Sequence, residues 1–76
     1  MDMEFEELCN KIRELDKVLD ERLIIIERNQ EIFDKGEVDE EEYNRLFDEV
    51  VDLVKKNLED IYLRDDLIKK VLLLQN

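Results

Sequence analysis

Gly36 divides this chain. It is the only glycine in 76 residues, and proline is absent. No other position carries a residue that breaks a helix through its backbone chemistry. On both sides of Gly36 apolar residues recur at alternating spacings of three and four, the period of one helix face. The sequence therefore predicts an all-α chain built as an antiparallel helical hairpin. Helix 1 spans about 3–35, the turn 36–38, and helix 2 about 39–75.

The turn has its own chemistry. Lys35 suits the negative end of a helix dipole, and Gly36 suits the left-handed conformation that ends a helix. Asp39 is an N-cap residue, and Glu42, three residues on, predicts a capping box. Glu40 and Glu41 fall in the first turn of helix 2, where the dipole favours acids.

Helix 1 offers the seam Phe5, Leu8, Ile12, Leu15, Leu19, Arg22, Ile26, Asn29 and Phe33. Helix 2 offers Tyr43, Phe47, Val50, Val54, Asn57, Ile61, Arg64, Ile68 and Val71. "DLVKKNL" at 52–58 returns as "DLIKKVL" at 66–72, an offset of 14 residues, or two heptads. That echo favours one continuous second helix. The alternative is a break within 57–66, where the aspartates of "YLRDDL" are placed to cap a short third helix folded back on the first two.

A hairpin centred near Gly36 sets residue i against about 73 − i. Arg22 then falls beside Asp48 or Asp52, and Asn29 near Asn44. Arg22, Asn29 and Asn57 are the polar positions expected to set register.

The seam does not absorb all of the apolar content. Two helices of about 50 Å make a rod, whereas a compact chain of this length has a radius of gyration near 11 Å. Val18, Leu23, Ile25 and Ile32 widen the stripe on helix 1, as Leu46, Val51, Leu53, Leu58, Leu67, Leu72 and Leu74 do on helix 2. Apolar residues beside both seam positions suit a four-helix bundle. Its simplest closed form is a homodimer of hairpins. Leu23, Ile25, Ile26, Val51 and Leu58 are the expected dimer or bundle core. Ile24, Tyr62, Leu63 and Leu73 point away from it and are the candidate partner-binding residues.

Composition bounds the chemistry. The net charge is −11, and residues 36–63 alone carry 10 acids against 3 bases. That balance repels nucleic acid and anionic membrane, so neither is expected as a direct partner. No apolar run approaches the roughly 18–20 residues of a membrane span. The opening "MDMEFEEL" is acidic where a secretory leader is basic. A single cysteine, Cys9, allows no internal disulfide, which fits the cytoplasm. It is expected to be a small buried hydrophobe. Serine, threonine and histidine are all absent. No Ser-His or Cys-His pair and no Cys/His zinc site can form within the chain.

Three local likenesses occur. "FDKGEVDEEEY" resembles the "G-x-I-T-x-x-E-F" turn of the bacterial SHOCT domain, through Gly36, Val38, Asp39, Glu42 and Tyr43. That resemblance implies two linked helices and oligomerisation. "KIRELDKVLDERL" resembles the opening helix of the small all-helical chorismate mutases, but Cys9 stands where that family carries an arginine. Glu4-x-x-Glu7 and Glu49-x-x-Asp52 resemble carboxylate pairs of MazG-type nucleotide pyrophosphohydrolases, without that family's spacing between helices.

The function expected from the sequence is a non-enzymatic protein–protein interaction module, an adaptor, regulator or inhibitor. It is expected to work as a homodimeric bundle that presents an acidic surface to a protein partner, with no cofactor and no catalytic residue. One alternative is an acidic nucleic-acid mimic of the phage-inhibitor type. It would block a basic groove through Glu40, Glu41, Asp48, Asp52, Glu59 and Asp60. A second alternative is a carboxylate-metal enzyme.

Overall fold

The computed structural model describes residues 3–75. Helix α1 runs Met3–Lys35 and helix α2 runs Glu40–Gln75. They pack antiparallel as a rod of 57 × 14 × 14 Å with a radius of gyration of 17.2 Å. Helix α2 is unbroken through 57–66. The aspartates at 65 and 66 sit inside it, and no third helix folds back among the described residues.

The turn follows its residues closely. Gly36 has φ 65° and its N–H donates to the Phe33 carbonyl at 3.1 Å, closing the last turn of α1. The Glu42 N–H donates to Asp39 Oδ1 at 2.8 Å, so Asp39 caps α2. The Glu42 carboxylate lies 3.7 Å from Arg45 Nη2 on its own helix. Above the turn, Tyr43 leans on Phe33 from α1 with ring centroids 5.0 Å apart, and Phe47 follows at 6.4 Å.

The nine-residue seam expected on α1 is the face that packs. Leu8 and Asn29 are buried and the other seven are half-buried. On α2 the expected seam is displaced. The covered residues are Leu46, Val50, Leu53, Asn57, Asp60, Arg64, Leu67 and Val71, again at spacings of four and three. Val50, Asn57, Arg64 and Val71 belong to both versions. Phe47, Val54 and Ile61 give way to Leu46, Leu53 and Asp60, Ile68 is half-buried beside the buried Leu67, and Tyr43 is exposed. Leu46 retains 5% of its surface, and its neighbour Phe47 retains 50%. This amounts to a rotation of α2 by about 50° at 100° per residue.

The pairing register also differs from expectation. Arg22 meets Asn57 and Asp60, not Asp48 or Asp52. Asn44 is exposed, away from buried Asn29. Arg64 Nε lies 2.5 Å from Asp16 Oδ1, an ion pair without hydrogen-bond alignment. Both departures share a physical reason. Arg22 is a charged residue in the middle of the α1 seam, and the expected register offers it carboxylates only from beside the α2 seam, Asp48 or Asp52, with Val50 and Val54 on the seam itself. Rotation and slippage of α2 bring a carboxylate and an amide to it.

Candidate interaction surface

The rotation leaves an apolar stripe uncovered on α2. It follows Phe47, Val51, Val54, Leu58, Ile61, Ile68 and Leu72, interrupted only by Asp65, and its spacing is again four and three. Phe47, Val54, Leu58, Ile61 and Leu72 are between 39% and 54% exposed; Val51 and Ile68 are half-buried. The stripe lies about 100° around α2 from the seam, on one flat side of the hairpin. In its span it carries one charged residue. The seam that α1 covers carries three polar ones, Asn57, Asp60 and Arg64. The more apolar of two equivalent helix faces is thus the open one.

The opposite side of the hairpin holds an open groove of about 540 Å³. Leu15 and Val18 from α1 and Leu63 and Leu67 from α2 line it, with Lys11 and Lys70 at the rim.

The candidate partner-binding residues do not form one surface. Ile24 is 55% exposed on the outer edge of α1, and Tyr62 is exposed on the outer edge of α2, facing the other way. Leu63 lines the groove. Leu73 is exposed near the end of α2. Of the expected bundle core, Ile25, Ile26 and Val51 are half-buried within one hairpin, and Leu23 and Leu58 are exposed. Leu58 belongs to the stripe, and Leu23 is the large apolar residue that α1 turns to the same side.

Of the register-setting residues, Arg22 and Asn57 meet directly, Arg22 Nη1 donating to Asn57 Oδ1 at 3.3 Å. Asn29 is buried and its Nδ2 has no hydrogen-bond partner. Cys9 is half-buried beside Phe5 and Arg13.

The carboxylate row of α2 is divided. Asp60 turns inward onto Arg22, Asp52 bridges to Lys56 at 3.0 Å, and Glu40 and Glu41 are exposed in the first turn. Among the described residues no three carboxylate or thiolate groups converge to hold a metal ion. None of the helices there is long and apolar enough to cross a membrane.

Heptad spacing alone does not set the stripe apart, because Phe47, Val54 and Ile61 also fit the seam. A usable signal was present: α2 carries two parallel heptad stripes, and only one matches the polar residues of α1.

No family model, curated protein or solved structure matches this chain. The fold and surface define an all-α helical hairpin with one uncovered apolar side.

Proposed function

We propose that this chain is a non-enzymatic protein–protein interaction module that works as a homodimeric helical bundle. The observation that carries the reading is the open α2 stripe. A soluble monomer rarely exposes a long contiguous apolar band, and such bands mark association sites. A rod 14 Å thick has no interior of its own in which to bury it. A second copy supplies an equivalent band at equal concentration and closes the assembly through a two-fold axis. The acidic exterior of the bundle, with Ile24 and Leu73 as apolar points on it, is then the surface offered to a further protein.

Mass in solution tests the reading. Light scattering over a dilution series is expected to give twice 9.3 kDa down to micromolar concentration. A species of 9.3 kDa at every concentration would overturn it.

A further inference from the structure

We propose that two copies join through the α2 stripes, antiparallel, about a two-fold axis between Leu58 and Ile61. The proposal rests on the dimeric reading above and adds the face, the direction and the register.

The stripe suits self-pairing. Turned end for end about its midpoint, it sets Phe47 against Leu72 of the second copy, Val51 against Ile68, and Leu58 against Ile61. These are a and d layers of an antiparallel coiled coil. Asp65, set against Val54, is the stripe's one polar position. The two-fold axis leaves both α1 helices on the same side of the α2 pair.

Charge selects this register over its neighbours. The outer flank of the stripe is the row Asp48, Lys55, Tyr62 and Lys69, all exposed. In the proposed register Asp48 faces Lys69 of the second copy, and Lys55 faces its Tyr62. Symmetry repeats each pair, giving two ion pairs and two cation–aromatic contacts. Sliding by one heptad in one direction sets Lys55 against Lys55 of the other copy. Sliding in the other direction sets Lys55 against Lys69. Both slides oppose like charges, which suppresses them. A parallel arrangement puts this row on opposite sides of the interface in the two copies, so Asp48 meets no lysine of the row, and it places the two α1 helices on opposite sides of the α2 pair. Among these arrangements the antiparallel, unslipped pairing alone sets opposite charges against each other along this row.

The test is a charge swap read as a dimer dissociation constant by sedimentation equilibrium. Asp48→Lys alone and Lys69→Asp alone are each expected to weaken the dimer about tenfold. Combined in one chain, they are expected to restore it to within about threefold of the original. Leu58→Asp, at a position exposed in the single hairpin, is expected to give a helical monomer by circular dichroism and light scattering. A dimer indifferent to both single swaps, or not restored by the pair, overturns the proposed face while leaving the dimer standing. An unaltered chain that is monomeric at micromolar concentration overturns the dimeric reading itself.

Discussion

Arg22 and Asp60 lie 38 residues apart in sequence and form an ion pair at mid-hairpin, each side chain about three-quarters buried. The same Arg22 Nη1 also donates to Asn57 Oδ1. One guanidinium thus ties α1 to two consecutive turns of α2. This contact aligns the helices along their length, since the leucines above and below it would pack in more than one register.

Removing Arg22 therefore leaves a carboxylate and an amide facing an apolar seam. Arg22→Ala is expected to destabilise the fold by about 1–2 kcal/mol, between the cost of breaking an exposed pair and a buried one. Replacing both partners, Arg22→Leu with Asp60→Leu, is expected to be neutral or stabilising by up to about 2 kcal/mol. Urea unfolding at one fixed protein concentration checks both, because assembly makes apparent stability concentration-dependent.

Asn29 is 5% exposed and its amide nitrogen is unpartnered. An unmet buried donor costs free energy that an apolar isostere does not. Asn29→Leu is expected to raise stability by about 1 kcal/mol. For a chain this short, that is roughly 4–8 °C in the thermal midpoint. A lowered midpoint in a calorimetric scan would show that Asn29 contributes more by holding register than it costs by burial.

The turn separates two local contributions. Asp39→Ala removes the cap on the Glu42 N–H and is expected to cost about 1 kcal/mol. Gly36→Ala is expected to cost a similar amount, about 1 kcal/mol, for a different reason. A methyl group there meets nothing within 4 Å, so the penalty is the left-handed backbone alone. Equilibrium unfolding of both single variants and the double variant measures how far the two effects add.

Ile24 lies on the outer edge of α1 and is not part of the stripe. Ile24→Asp is expected to leave helicity, melting and dimer mass within error of the parent chain. Loss of the dimer, seen by light scattering, would place Ile24 in an interface between copies.

The helices, their ends and the turn were legible because they rest on local chemistry. Gly36, Asp39 and the three-four spacing act within a few residues of themselves. The α1 seam was legible for the same reason: its apolar residues form one stripe, with polar neighbours on most other faces. On α2 the periodicity was ambiguous. Residues 46, 53, 60 and 67 and residues 47, 54, 61 and 68 fit the heptad equally well around the shared positions 50, 57, 64 and 71.

The sequence by itself determined two long helices, one tight turn and more apolar surface than one seam can hold. Tertiary structure alone decided which stripe of α2 lies inward and how far the helices slide past each other. Arg22 is the reason. A charge in a seam must be matched across a distance of 38 residues. Meeting that requirement turned the polar stripe of α2 inward and left the apolar one open.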